Sequence, residues 1–374
     1  MLTEDERGET LRTRNDEALA AYRTGRLDEA LASWVAVIDL GEPVFATLDA
    51  DGRAQVLRAR VGAGVVRGQQ QDLEGVLIEC ARVAELGEPV FATLDADGRA
   101  QVLKARVDAG FVRDQQQDLE GVLIECARVA ELGEPVFATL DADGRAQVLK
   151  ARVDAGFVRG RQQDLAGMLI ECAHLAELGE PVFATLDAEG RAAVLMARLN
   201  AGIVRLRQQD PEGERIEYAR VAELGEPVFD TLDADGRAPV LWARYNAGVV
   251  RSRQQDPEGA LIEYARVAEL GEPVFDTLRA DSRAHVLMAR GNAGGIRGWQ
   301  QDPEGALIEY ARVADLGEPV FDTLDVDGRA EVLKARRNAG FVRGQQQDPE
   351  GALIECARVA DLGEPVFDTL DVDG

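Results

Sequence analysis

The chain is built from one unit that returns every 46 residues along the sequence. The octapeptide GEPVFATL at Gly41–Leu48 comes back almost unchanged. Its later copies begin at Gly87, Gly133, Gly179, Gly225, Gly271, Gly317 and Gly363. A period of about 20–50 residues is typical of solenoids, in which each unit packs only against its neighbours. The sequence therefore predicts an array of one repeated unit and no mosaic of different domains.

The start of the unit at Gly225 predicts a short connector followed by a long helix. Gly225 suits a C-terminal helix cap, and Pro227 sits where a first helical turn accepts it. Asp235 is expected to cap a first long helix over about 237–255.

The second half of the unit predicts another helix. Asp256 and Pro257 have the residue types of an N-cap and a first helical position, and apolar residues then recur at helical spacing over about 257–270. Because no segment alternates with period two, the expected fold is all-α. We expect a divergent hairpin over 1–40, seven near-identical repeats over 41–362 and a partial repeat without a cap over 363–374.

The charge balance excludes one class of partner. The chain has 68 acidic against 42 basic residues and a net charge of −26, so it lacks the basic surface that nucleic-acid phosphates need. Long apolar segments and a signal peptide are not apparent, which predicts a cytoplasmic protein. Arginine outnumbers lysine 39 to 3, a composition typical of GC-rich bacterial genomes.

Four cysteines share one position of the repeat, which holds Trp or Tyr in other units. The cysteines are Cys80, Cys126, Cys172 and Cys356, and the aromatic residues are Trp34, Tyr218, Tyr264 and Tyr310. A position that accepts residues so different in chemistry is a packing position. We expect buried free thiols there, neither metal ligands nor disulfides.

The unit resembles the tetratricopeptide (TPR) repeat. Ala247-Gly248 fits that family's Leu-Gly pair, Ala260-x3-Tyr264 fits its Ala-x3-aromatic pair, and Pro273 lies near its closing proline. The hairpin containing Gly25–Leu31 matches even better. The resemblance implies a right-handed αα-solenoid of helical hairpins whose concave face holds peptides. The connector adds 12 residues to the usual 34, so the superhelical twist need not be the family's.

Each full repeat also carries an arginine pair where the family has large aromatic residues, for example Arg60 with Arg67 and Arg106 with Arg113. The favoured interpretation is that their stems pack and their guanidinium groups reach water. The alternative is a ladder of buried ion pairs with acids of the second helix, such as Glu125.

The copies differ at five positions of the first helix, which lie on one helical face. The residues there become Trp, Tyr, Met, Leu, Phe, Lys and Arg in different repeats. Neutral drift on a solvated face would give mostly polar changes, so a ligand surface is the preferred interpretation. The candidate peptide-binding residues are Lys104, Lys150, Met196, Leu199, Trp242, Tyr245, Met288, Trp299, Lys334 and Arg337.

These residues predict a scaffold that binds a protein or peptide with an apolar centre and acidic flanks. The alternatives are self-assembly through exposed Val366, Phe367 and Leu370, or the sensor portion of a larger signalling protein. The two histidines, His174 and His285, are interpreted as neutral surface substitutions. No catalytic, cofactor or metal motif is apparent, and the calcium-like turn at Asp49–Gly52 lacks the ligands such a loop needs.

Overall fold

The structure is a computed structural model that describes residues 4–365, and within this range the chain is helical and contains no strand. Sixteen α-helices pair into hairpins. Their bounds are α1 Glu4–Arg23, α2 Leu27–Gly41, α3 Ala50–Gln69, α4 Leu73–Gly87, α5 Ala96–Gln115, α6 Leu119–Gly133, α7 Ala142–Arg161, α8 Leu165–Gly179, α9 Ala188–Arg207, α10 Pro211–Gly225, α11 Ala234–Arg253, α12 Pro257–Gly271, α13 Ala280–Trp299, α14 Pro303–Gly317, α15 Val326–Gln345 and α16 Pro349–Gly363.

The predicted connectors are short 3₁₀ helices, each following an even-numbered helix. They span Glu42–Thr47, Glu88–Thr93, Glu134–Thr139, Glu180–Thr185, Glu226–Thr231, Glu272–Thr277 and Glu318–Thr323. The chain forms two compact units, Met1–Val194 and Leu195–Gly374. In the first unit α1, α3, α5 and α7 each pack on the even-numbered helix that follows and beside the neighbouring odd-numbered helix, and α11, α13 and α15 do the same in the second unit. The fold is therefore the expected all-α, αα-solenoid arrangement of hairpins.

Each long first helix begins earlier than the sequence suggested. In the repeat at Gly225 the N-cap is Asp233, whose Oδ1 accepts a hydrogen bond of 2.8 Å from the backbone N–H of Gly236. The expectation that Asp235 caps this helix is therefore wrong, because Asp235 already lies in the first turn. Asp49 binds Gly52 in the same way at 2.7 Å, so the calcium-like turn is a helix cap.

The glycine at the end of each second helix has a packing role. Gly225 has φ of −86°, so it is not the left-handed cap that the sequence suggested. A Cβ atom at Gly225 would lie 2.3 Å from Cγ2 of Val240, on the next first helix. Glycine is needed because the two helices approach each other too closely for any side chain.

The turn inside each hairpin places one residue in the left-handed region. In the N-terminal hairpin this residue is Gly25, with φ of 75°. The corresponding residue of each later repeat is a glutamine with φ between 57° and 63°: Gln71, Gln117, Gln163, Gln209, Gln255, Gln301 and Gln347. The following aspartate then caps the second helix, as Asp72 does through a 2.8 Å hydrogen bond from Gly75.

One segment of 21 residues, Leu27–Thr47, is long and apolar enough to cross a membrane by length and composition, with a mean hydropathy of 1.3 over an 18-residue window. This corrects the expectation that the chain has no such segment. The segment comprises α2 and the first connector, and its side chains Trp34, Val37 and Phe45 are buried where α2 packs against α1 and α3.

Candidate functional site

In the first unit, the variable face combines exposed rings with lysines. Lys150 is exposed, whereas Lys104 is half-buried and pairs with Asp108 one turn along α5, with Nζ 3.1 Å from Oδ2. Phe111 and Phe157 occupy one variable column and are 59% and 62% exposed. Large apolar side chains so accessible to solvent on a regular helix favour a contact surface.

In the second unit, the candidate residues differ in accessibility. Trp299 is 83% exposed, and Arg337 is also exposed. Five candidates are half-buried: Met196, Trp242, Tyr245, Met288 and Lys334. Leu199 is fully buried, which corrects its assignment as a ligand-facing residue, because it contributes to the core.

Trp242 and Tyr245 belong to an aromatic cluster on neighbouring first helices. The His285 ring stacks on Trp242 at 5.3 Å between centroids and lies 5.6 Å from Tyr245. Tyr245 also lies 6.0 Å from the Tyr264 ring, and the Nδ2 atom of Asn292 is 3.4 Å from both tyrosine hydroxyls. The interpretation of His285 as a neutral surface change is therefore wrong: it fills the space between two aromatic residues.

A half-buried carboxylate lies close to this cluster. Glu331 on α15 occupies the notch left by Gly291 on α13, where a Cβ atom would lie 1.8 Å from Oε1. Burial raises the pKa of Glu331 to about 7, although the positive charges of Lys334 and Arg337 act in the opposite direction. Glu331 also raises the pKa of Tyr245, for which burial is the larger cause.

The Cys or Tyr position decides whether a hairpin interface is filled. Where the residue is tyrosine, its ring lies against a glycine of the first helix: a Cβ atom at Gly248 would be 2.5 Å from Cε1 of Tyr264. Where the residue is Cys80, the nearest atom to a Cβ at Gly64 is 3.6 Å away. A cleft of about 660 Å³ opens there between α3, α4 and α5.

Cys80, Cys126 and Cys356 are free thiols, as expected. Cys80, Cys126 and Cys172 are buried, but Cys356 is exposed, which corrects the expectation for that residue. Burial raises the pKa of Cys80 to about 12, and the nearby carboxylate of Asp108 adds to the effect. The thiol in the cleft is therefore protonated at neutral pH and is a weak nucleophile.

The repeated arginine pair forms the ion-pair ladder, so the favoured interpretation of arginines reaching water is wrong. In the first full repeat Arg60 Nη1 lies 2.6 Å from Glu79 Oε2, and Arg67 Nε lies 3.3 Å from Glu79 Oε1. Glu79 is buried. The equivalent first pairs are Arg106–Glu125, Arg152–Glu171, Arg198–Glu217, Arg244–Glu263, Arg290–Glu309 and Arg336–Glu355.

The connector extends this ladder from one repeat to the next. Glu42 accepts hydrogen bonds from Arg60 on α3 and from Arg82 on α4, the latter at 2.6 Å. Burial by itself would raise the pKa of Glu42, but the two arginines outweigh burial and hold it below its ordinary value. The connector carboxylate Glu42 thus fastens both helices of the following hairpin.

A row of exposed isoleucines was missed in the sequence. Each full repeat has one on its second helix, between 53% and 69% exposed: Ile78, Ile124, Ile170, Ile216, Ile262, Ile308 and Ile354. The sequence did contain a signal for this row: isoleucine is constant at this position beside the apolar stripe, although the core does not require it. Leu353 is also exposed, whereas Val366, Phe367 and Leu370, proposed for self-assembly, lie outside the described residues.

No protein-family model matches the sequence, and no curated protein matches it. Among solved structures the chain is similar to BtubC (BKLC) from P. vanneervenii, with 12% identity and a TM-score of 0.48 over 67% of this chain and 92% of that one. It is also similar to the apo form of RapI, with 9% identity and a TM-score of 0.47 over 96% and 98% of the two chains.

A third similar structure is the apo form of the quorum sensor NprR from B. thuringiensis, with 10% identity and a TM-score of 0.32 over 95% of this chain and 99% of that one. At such low identity and TM-score, the description of this chain depends on its own helices. In the described residues these form an all-α helical repeat array whose hairpins resemble TPR hairpins.

Proposed function

We propose that this protein binds a peptide or an extended protein segment along the variable face of its first helices and catalyses no reaction itself. One observation carries the proposal. Large apolar side chains stand exposed at the variable positions of a scaffold that is otherwise nearly constant. They are Phe111, Phe157, Phe341 and Trp299, which are 59%, 62%, 66% and 83% exposed.

The charges near these rings describe the ligand. Lys150 is exposed two turns before Phe157 on the same face of α7, and Arg337 is exposed one turn before Phe341. Basic groups beside apolar ones favour a segment that carries both apolar and acidic residues. Since the whole chain is strongly acidic, these exposed cations are local exceptions to its net charge.

Trp242 and Tyr245 have a supporting role in this proposal. Their rings are half-buried and packed with His285, so they form a rigid floor, and little of either side chain is free to enter a ligand. Rigid aromatic surface binds at low entropic cost because few torsions must be fixed. We therefore assign the main anchoring contacts to Trp299 and the exposed phenylalanines.

The test is selection of peptides from a random displayed library on the full chain, followed by affinity measurement. Trp299→Ala or Phe111→Ala should weaken the selected peptides about tenfold or more, because exposed aromatic anchors usually become interface hot spots. The matched control is Ile262→Ala, which removes an exposed apolar side chain from a second helix of the same unit as Trp299. Failure to select any peptide, or equal affinities in all three variants, would contradict the proposal.

A further inference from the structure

The tyrosine repeats show what the space beside the second helix can hold. The Tyr264 ring lies against Gly248, and its hydroxyl is 3.4 Å from Nδ2 of Asn292 on the next first helix. The ring therefore spans two successive first helices, with an amide donor at its far end. The chain itself thus provides a phenol with a complete set of contacts at this position.

The corresponding space at Cys80 keeps the glycine wall but has no ring. Gly64 stands where Gly248 stands in the tyrosine repeat, and Val76 and Ala105 add apolar surface to the cleft of about 660 Å³. At its far end lies Asp108, at the position that Asn292 occupies in the tyrosine repeat. The cleft thus resembles the space that the Tyr264 ring fills, except that the hydrogen-bond acceptor Asp108 stands in place of the donor Asn292.

We propose that this cleft receives the side chain of a tyrosine from the bound peptide. The ring lies on Gly64 as the Tyr264 ring lies on Gly248, and the phenol hydroxyl donates a hydrogen bond to the Asp108 carboxylate. Lys104 pairs with Asp108 at 3.1 Å, so the carboxylate is already neutralised and has little need for a second cation. A phenol suits this cleft because its ring fills the apolar space and its neutral hydroxyl donates to the carboxylate without adding charge. Hydrogen bonds to an ionised acceptor are stronger than those between neutral groups.

The inference rests on the proposed function and makes it more specific, because the cleft opens onto the variable face. Val65 and Phe111, which line it, occupy the third variable column. A peptide lying along that face can therefore insert one side chain between α3 and α5 without leaving the face. The ligand we expect contains a tyrosine whose replacement by phenylalanine weakens binding.

The first test uses N-acetyl-L-tyrosinamide as the probe, with N-acetyl-L-phenylalaninamide for comparison, on the full chain with labelled methyl groups. The tyrosine probe should shift the methyl signals of Val65 and Val76 saturably, and the phenylalanine probe should bind at least several-fold more weakly. Equal binding of the two probes, or no shift of these signals, would overturn the inference.

Variants then test the position of the site. Cys80→Tyr with Asp108→Asn rebuilds the pair found at Tyr264 and Asn292, so it should fold and lose the probe. Ile78→Tyr places the same ring on the exposed side of α4 and should bind the probe like the wild type. Asp108→Leu alone keeps the cleft open but removes the hydrogen-bond acceptor, and it should reduce the affinity of the tyrosine probe to that of the phenylalanine probe. Wild-type affinity in the double variant contradicts the inference.

Library peptides separate this inference from the proposed function. If peptides that depend on Phe111 bind the double variant as tightly as the wild type, the face is correct and the tyrosine cleft is wrong. If the tyrosine probe binds the cleft but no peptide is selected, the inference that a peptide supplies the phenol is wrong, and the cleft takes a free phenolic compound. Loss of peptide affinity in the double variant, together with enrichment of tyrosine among the selected peptides, supports both.

Discussion

The hairpin α3/α4 and the hairpin α11/α12 share nearly the same backbone plan but differ in how their interface is filled. In α11/α12 the Tyr264 ring closes the space over Gly248, whereas in α3/α4 Cys80 leaves it open. The arginine and glutamate ladder is present in both hairpins. The comparison shows that the ladder and the connectors hold the repeat geometry, so that one position is free to be either core or cleft.

The largest expected difference comes from removing the filling residue. Tyr264→Cys should lower the free energy of unfolding by about 3 kcal/mol, because a buried ring leaves a cavity that the helices cannot close. Cys80→Ala should cost less than about 1 kcal/mol, since its surroundings are already open. Chemical denaturation followed by circular dichroism measures both. Equal losses would show that the two interfaces are packed alike.

Neutralising the glutamate of the arginine–glutamate ladder should lower stability by the same amount in both kinds of hairpin. Glu125→Gln and Glu263→Gln each leave two arginines facing a neutral group, and each should cost about 2–3 kcal/mol; the partly exposed arginines keep the loss below that of a fully buried pair. The exposed acid Glu120 provides the control, because Glu120→Gln should change stability by less than about 0.5 kcal/mol. If one hairpin lost stability and the other did not, the ladder would not be the common element that the comparison requires.

Replacing Gly248 and its equivalent Gly64 by alanine should change the stability of the fold in opposite directions. Gly248→Ala should destabilise by about 1–3 kcal/mol, because its Cβ atom meets the rigid Tyr264 ring at 2.5 Å. Gly64→Ala should stabilise by up to about 1 kcal/mol, because alanine favours a helix interior and the nearest atom is 3.6 Å away. Thermal unfolding of the two variants checks the signs. A loss in Gly64→Ala would mean that the cleft is closed in solution.

The smallest effect concerns pH and the second unit alone. The pKa of Glu331, about 7, lies above its ordinary value of 4.5, so the protonated form stabilises the fold below 4.5 and that stability is lost as the pH rises through 7. Glu331→Gln should raise the melting temperature slightly at pH 8 and make no difference at pH 4. Lys334→Met should enlarge the pH dependence, because Lys334 lowers the pKa of Glu331. Parallel curves for the wild type and Glu331→Gln at all pH values would rule out this explanation.

The sequence predicted the helices well and their contacts less well. The period, the helical spacing and the N-cap Asp256 define the hairpins, because these signals are local along the chain. The cap at Asp233 was assigned two residues too late, because both aspartates suit an N-cap and only the helix start separates them. The role of Gly225 depends on how closely Val240 of the next repeat approaches, which spacing alone does not give.

Contacts between repeats were the main part that the sequence could not show. Glu42 precedes Arg60 in the sequence and Glu79 follows it. The ladder therefore depends on how the connector, α3 and α4 are oriented relative to one another. His285 appeared as a lone substitution because its partners Trp242 and Tyr245 are about one period away. The exposure of the variable face could be foreseen from its freedom to vary, although Leu199 shows that a variable position can also be buried.

The connector carboxylates also determine how the array comes apart. Glu42, Glu88, Glu226, Glu272 and Glu318 each bind two arginines of the following hairpin. Among the described residues Glu134 binds one, Arg152, because His174 stands where the other repeats have the second arginine, and its side chain is 27% exposed against 13% for Glu88. In a linear array the weakest coupling sets where cooperativity breaks. Under load, the first unit should open first beside Glu134.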